Sequence, residues 1–171
     1  MTGTPVIEGF DVRPFEERDA KALQTLFDTD PEYFALADGF VDDIAELDQI
    51  RATLPEGCSR DDKYLFVICQ GERVAGMIDV IRGFPEPTAW YLPLLFLAKD
   101  IRAKGNGRRA LHAIYRWVRK QGGKAVSVTV AEGNSLGRWL YATEGFIFVG
   151  ARDPDPEAHR LRRTLVLERM L

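Results

Sequence analysis

Arg102-Ala103-Lys104-Gly105-Asn106-Gly107-Arg108-Arg109 is the stretch on which the reading of this chain turns. It follows an apolar run, Trp90 to Ala98, and precedes a helical pattern. Two glycines around one small residue therefore fall where a strand should turn into a helix. A helix start exposes backbone N–H groups that have no intrahelical partner, and its dipole favours anions. Glycines let that backbone approach a ligand with no Cβ in the way. Arg102, Lys104, Arg108 and Arg109 add positive charge within the same eight positions. A tight turn alone does not need them, and a basic run alone is usually a solvated face. Their coincidence reads as a cradle for a phosphate or pyrophosphate.

The rest of the chain bounds that reading. Its 171 residues suit one domain, residues 1–171, with a good core. Hydrophobic residues at 46% and charged residues at 29% are ordinary globular values. A net charge of −3 argues against a dedicated nucleic-acid binder, so the basic cluster stands out on an acidic background. Cys58 and Cys69 form neither a metal-ligand spacing nor a disulfide framework, and no metal is expected. A reducing, cytoplasmic setting follows as the expectation. Cys69, in an apolar run, reads as a buried small hydrophobe. Met1 to Gly9 has no basic stretch followed by an apolar one, so no signal peptide is read there. The longest apolar run, Ala89 to Ala98, is too short to span a bilayer and contains Pro93. Neither nucleic acid nor membrane is expected as a partner.

Working outward, Phe10 to Phe15 reads as a strand, and Glu17 to Phe27 carries Leu23, Leu26 and Phe27 at helical spacing. Asp28 to Phe40 looks irregular and aromatic. A second helix follows, with Ile44, Leu47, Arg51 and Leu54 on one face and Asp42, Asp43, Glu46 and Asp48 around its first turns. Tyr64 to Gln70 and Arg73 to Arg82 flank Gly71-Glu72 as a hairpin. Thr88 to Ala98 reads as a strand buried on both faces, with an edge or bulge at Pro93. Gly107 to Lys120 is a helix with Ala110, Leu111, Ile114, Trp117 and Val118 inward. Ala125 to Ala131 is a strand, and Asn134 to Thr143 a short helix capped by Asn134. Phe146 to Val149 and Leu161 to Glu168 are the last strands. The order β-α-α-β-β-β-α-β-α-β-β is a mixed, α+β-like α/β sheet with one parallel crossover, not a doubly wound one.

Three ligands compete for the cradle. Gly105-x-Gly107-x-x-Ala110 fits the dinucleotide fingerprint, with Glu132 at the end of the next strand. Its context is wrong for a nicotinamide-dependent oxidoreductase, because a hairpin precedes it where parallel units should begin. A P-loop is excluded, since no Gly-Lys-Ser/Thr occurs. The third ligand is coenzyme A. Arg102-x-x-Gly105-x-Gly107 resembles the pyrophosphate loop of the GNAT acyl-CoA N-acyltransferase superfamily. Asn134-x-x-Gly137-x-x-Leu140-Tyr141-x-x-x-Gly145-Phe146 is similar to that family's next helix, in which an asparagine opens, a tyrosine follows and Gly-Phe closes. The element order matches too, so the resemblance covers residues 10 to 168.

The resemblance implies a GNAT fold. That is a mostly antiparallel sheet of about seven strands, splayed between strands 4 and 5 and flanked by about four helices. It implies an N-acetyltransferase that moves an acetyl group from acetyl-CoA, its co-substrate, to a small-molecule or peptide amine. A CoA-binding module without catalysis is the non-enzyme alternative, and a homodimer is compatible with the reading. The resemblance assigns the pyrophosphate to Arg102, Ala103, Lys104, Gly105, Asn106, Gly107 and Arg108, with Lys104 and Arg108 adding charge-assisted bonds. It assigns the pantetheine arm to the main chain of Leu95, Phe96 and Leu97, and the region of the thiol to Asn134. Tyr141 becomes the general acid for the leaving thiolate, since an ordinary phenol is protonated at neutral pH.

The bland readings stand beside these: core packing for Leu95 to Leu97, an ordinary N-cap for Asn134, a core tyrosine for Tyr141. Two departures are visible. Gly137 stands where the family often has alanine, and weakens the helix by about 1 kcal/mol. Thr129 stands where some relatives carry a glutamate base. Asp79, Glu86, Glu32 or a water chain is left for that task, and His112 and His159 receive no role. Tyr33, Phe34, Phe40, Phe84 and Trp90, with Glu32, Asp38, Asp42 and Asp43, are candidates for an acceptor site suited to a cationic amine.

Overall fold

The computed structural model describes residues 3–37, 40, 43–158 and 160–171, the side chain of Ala158 excepted. The strands are β1 (Asp11–Pro14), β2 (Lys63–Gln70), β3 (Arg73–Arg82), β4 (Ala89–Leu97), β5 (Ala125–Ala131), β6 (Ile147–Arg152) and β7 (Thr164–Met170). They form one seven-stranded sheet in the order β1-β2-β3-β4-β5-β7-β6. Every neighbouring pair is antiparallel except β4 with β5. The helices are α1 (Ala20–Asp28), α2 (Pro31–Leu36), α3 (Glu46–Ala52), α4 (Asn106–Lys120) and α5 (Ser135–Thr143).

The strands alternate their side chains between two cores. On one face, Ala110, Leu111, Ile114, Trp117 and Val118 of α4 pack against Phe66, Ile78, Val80, Trp90, Val126 and Val128. This is the apolar stripe the sequence periodicity predicts. On the other face, Leu23, Phe27, Phe34, Leu47 and Ile50 from α1, α2 and α3 pack against Val67, Met77, Leu94 and Phe96.

The structure corrects four expectations. Asp28 to Phe40 holds a helix, which brings the α-helices among the described residues to five. The additional one, α2, lies in the segment that looked irregular. Asp30 caps it by accepting from the Tyr33 N–H, and Pro31 starts it. Six residues are too few to display a helical period. α3 starts only at Glu46, so Ile44, 50% exposed, precedes it; Leu47 is buried as predicted, but Ile50 rather than Arg51 is its buried companion. β6 begins at Ile147 and runs to Arg152, and β7 starts at Thr164 rather than Leu161. Pairing of β7 along the whole of β5 sets those bounds, not local pattern. β4 is not buried on both faces throughout: Pro93 is exposed, and Tyr91 and Leu95 are partly so.

β4 and β5 pair only over Ala89–Tyr91 and Ala125–Ser127. Beyond Tyr91 the two strands part. β5 continues to Ala131 on β7, and β4 continues to Leu97 on β3. The parting coincides with Pro93. Register against β3 steps from Asp79↔Leu94 to Ile81↔Tyr91, so Leu92 and Pro93 together oppose one residue of β3. Proline cannot donate to a ladder, and a bulge bends the strand that carries it. This is the irregularity the sequence predicts at Pro93.

Candidate active site

The open edge of β4 runs into the glycine stretch. A short 3-10 turn, Lys99–Ile101, leads to Arg102, and α4 starts at Asn106. Gly105 is the N-cap at φ +77°, a left-handed conformation that disfavours a side chain. Arg109 N–H is the first of the helix to bond back, to the Gly105 carbonyl at 3.0 Å. The N–H groups of Asn106, Gly107 and Arg108 thus stand at the free helix start. A Cβ on Gly107 would meet no atom within 4 Å, so protein packing does not demand glycine there. The loop is pinned from beneath. Asn106 is buried, its Nδ2 donates to the Ile101 carbonyl at 2.8 Å, and its Oδ1 accepts from Arg109 at 2.9 Å.

The basic side chains are distributed unexpectedly. Arg102 turns inward: its Nε donates to the Leu97 carbonyl at 2.7 Å, and its Nη1 lies 2.6 Å from Asp30 Oδ2, close but poorly aligned for a hydrogen bond. Arg108 Nε reaches Glu144 at 2.5 Å, while its side chain stays 62% exposed. Arg109 is tied to Asn106. An anion at this loop would therefore meet backbone N–H groups, with Lys104 exposed beside them.

Leu95 to Leu97 form the far half of β4. A Cβ on Gly76 would run into the Phe96 carbonyl oxygen, and the Ala98 N–H donates to Ala75 at 2.8 Å. Residues 96 and 98 hence face β3, and by strand alternation the main-chain groups of Leu95 and Leu97 face the open side.

Across the parting lies α5. Asn134 caps it, its Oδ1 accepting from the Gly137 N–H at 2.9 Å. Gly137 is explained by this cap: a Cβ there would sit 2.8 Å from Asn134 Nδ2 and 3.1 Å from Val130. Tyr141 packs its ring edge-on to Phe146, centroids 5.2 Å apart. Burial, and secondarily Tyr91, pushes its phenol up to about 12. Tyr33 and Tyr115 both feel Tyr141 electrostatically, so the phenol stands among a cluster of tyrosines at the parting. Tyr91 Oη and Thr129 Oγ1, 3.0 Å apart, bridge β4 and β5 just there. Thr129, at the place of the absent glutamate, is used in that bridge.

The remaining candidates sort by burial. Asp79 is buried and paired with Lys63 Nζ at 2.7 Å; burial pushes its carboxyl up to about 6, with Lys63 opposing. Glu32 and Glu86 are exposed. Trp90 belongs to the core with Tyr64 and Trp117, and Phe34 with Phe27 and Phe96, so neither is free to line an acceptor site. Tyr33, Phe40 and Phe84 remain partly exposed. Asp38, Asp42 and His159 lie outside the described residues. His112, given no role, has Nε2 2.7 Å from Glu144.

Two acids went unnoticed in the sequence. Glu144 is buried and gathers Arg108, His112 and Arg169 around the end of α5. Asp30 is buried and holds Arg102. Asp30 stands just before Pro31, a recognisable cap signal; for Glu144 no local signal exists. Among the described residues no group of three or more His, Cys, Asp or Glu side chains is placed to hold a metal.

A comparison with curated proteins found no match. Solved structures share the fold. An acetyltransferase from Thermus thermophilus is 23% identical with a TM-score of 0.66, covering 96% of this chain and 99% of that one. A probable acetyltransferase of the GNAT family from Chromobacterium violaceum reaches a TM-score of 0.76 at 18% identity, covering 99% and 93%. The ribosomal-protein-S5-alanine acetyltransferase of Vibrio fischeri gives 0.71 at 15% identity, covering 96% and 94%. The family model described as Acetyltransferase (GNAT) family matches residues 17–146, a span that holds the cradle, the open edge of β4 and the helix of Tyr141. With that match laid over the splayed sheet, the chain belongs to the GNAT acetyltransferase family.

Proposed function

We propose that this protein is an N-acetyltransferase that transfers the acetyl group of acetyl-CoA to an amine by direct attack. One observation carries the reading: a strand edge freed by the Pro93 bulge leads through one short turn into a helix start pinned open by Gly105 and Asn106. Such a track offers main-chain groups to an amide-bearing arm and N–H groups to a pyrophosphate, in the order in which coenzyme A carries them.

In this reading the amides of Asn106, Gly107 and Arg108 hold the pyrophosphate and the main chain of Leu95 to Leu97 orients the arm. Asn134 lies near the sulfur. The acceptor nitrogen forms a bond to the thioester carbonyl carbon as the C–S bond breaks. Tyr141 gives its proton to the departing sulfur, and the proton lost by the amine passes to water. A phenol pushed up to about 12 stays protonated through the neutral range, as that role requires. A covalent cysteine route is disfavoured. Cys69 is buried, and burial, then Asp62, pushes the Cys58 thiol up and away from the reactive thiolate.

The test is an amine panel of small amines, amino acids and peptide N-termini, incubated with acetyl-CoA while free CoA thiol is followed. Thiol release with one amine class, matched by a 42 Da gain on that amine (the mass of an added acetyl group), supports the reading. Stabilisation by NADH with none by acetyl-CoA overturns it. Tight CoA binding with no turnover on any amine points to the non-catalytic module instead.

A further inference from the structure

The open edge of β4 is already in use. Its two outward carbonyls both accept bonds from side chains. Leu97 O takes Arg102 Nε at 2.7 Å, and Leu95 O takes the Tyr33 hydroxyl at 3.3 Å. The two donors belong to one assembly. Asp30, only 2% exposed, caps α2 through the Tyr33 N–H and lies against Arg102. The Arg102 guanidinium sits over the Tyr33 ring at 5.4 Å and the Phe96 ring at 5.0 Å. Tyr33 meets Phe96 edge-on at 4.9 Å. Helix α2 is thereby fastened across the edge of β4 through a hydroxyl on a backbone oxygen.

The two fastenings differ in strength. The Arg102 bond is short, charge-assisted and backed by Asp30, whereas the Tyr33 bond is long and neutral. An amide N–H brought alongside β4 would therefore take Leu95 O more readily than Leu97 O. Burial keeps the Tyr33 phenol protonated, Tyr141 adding to this and Arg102 opposing, so its hydroxyl remains a donor that must find water or a new acceptor once displaced.

We propose that Tyr33 is a positioning residue that gates the donor cleft: its hydroxyl holds α2 against Leu95 O and yields that oxygen to an amide N–H of the pantetheine arm. This rests on the acetyl-CoA reading above. The consequence is coupling. Tyr33 is itself one of the candidate acceptor-site residues, so arrival of the donor arm releases α2, and the acceptor side takes its working shape only after the arm is seated.

The experiment compares CoA with ADP, which carries the pyrophosphate but no arm, by calorimetric titration of wild type and Tyr33→Phe. Removing the competing hydroxyl should tighten CoA binding about 2- to 10-fold and leave ADP binding unchanged. CoA bound no more tightly by the variant, or an equal gain for ADP, overturns the gate. Hydrogen exchange on wild type gives a second readout that needs no variant. CoA should speed exchange of the α2 amides, including Ala37 N–H, which bonds to Tyr33 O at 3.2 Å. Slower or unchanged exchange there overturns the proposal. Wild type that fails to bind CoA at all overturns the acetyl-CoA reading itself, so the two failures are told apart.

Discussion

The two halves of β4 share a strand and almost nothing else. From Ala89 to Tyr91 the strand is sealed: paired with β5, packed through Trp90 onto Tyr64 and Trp117, and bridged by Tyr91 to Thr129. From Leu92 to Leu97 it is paired on one side only, and its spare carbonyls are held by side-chain donors. Pro93 separates the halves. What differs is the use made of backbone hydrogen-bonding capacity. In the sealed half it is spent on the fold. In the open half the bulge withholds it from the ladder, at some cost in stability, and side chains take it up instead. Substitutions in the open half should then strike function and spare stability, and those in the sealed half should do the reverse.

The largest break expected is Tyr141→Phe. Losing the proposed general acid should lower kcat about 10²- to 10⁴-fold with acetyl-CoA affinity nearly unchanged, measured by steady-state kinetics beside direct titration. Because the proposed role needs the protonated phenol and burial pushes it up to about 12, wild-type kcat should show no falling limb from Tyr141 as pH rises to about 10. A limb near 9 that disappears in Tyr141→Phe would show that the phenol is far more acidic than its surroundings imply.

Gly107→Glu comes next. A side chain there meets no protein atom, and a carboxylate suits a first helical turn, so the melting temperature should hold. CoA affinity should fall at least about 100-fold, because the carboxylate takes the place of the pyrophosphate and repels it. A loop that is only a turn would leave affinity untouched.

Gly123→Ala, packed against Trp90 of the sealed half, should do the opposite. Its Cβ would press on Val118 and come within 2.5 Å of Trp90 Cδ1. Overpacking of this kind costs about 1–3 kcal/mol, read by urea unfolding, with CoA affinity per folded molecule unchanged. Tyr91→Phe, at the boundary, is the smallest and most informative change. Loss of the Thr129 bridge should cost about 1 kcal/mol. If it also alters kcat, the boundary belongs to the site as well as to the fold.

Legibility in the sequence follows the same division. The glycine-lined helix start, the irregularity at Pro93, the capping Asn134 and the hairpin at Gly71-Glu72 were readable because each is written in consecutive residues whose backbone preferences are strong. Glycine and proline restrict φ and hydrogen bonding wherever they fall. Helix α2 was not readable, since six aromatic-rich residues carry no period. Nor was the inward turn of Arg102. Its position beside Gly105 suggested a phosphate ligand, but Asp30, far off in sequence, offers a buried carboxylate that claims the guanidinium. Trp90 and Phe34 were misplaced toward an acceptor site for a similar reason: composition shows that a ring is present, not which core takes it.

By itself the sequence determined where the chain must bend, cap and expose N–H groups, and its two spaced motifs carried the family. Those are local matters, settled by the conformational limits of a few neighbouring residues. Only the tertiary structure decided which carbonyls of β4 stay out of the strand ladder, that Tyr33 and Arg102 hold them, and that Glu144 ties the glycine loop to the end of α5. Each of these joins residues distant in sequence. The energy of such a contact depends on burial and geometry that exist only once the sheet has closed at one end and parted at the other.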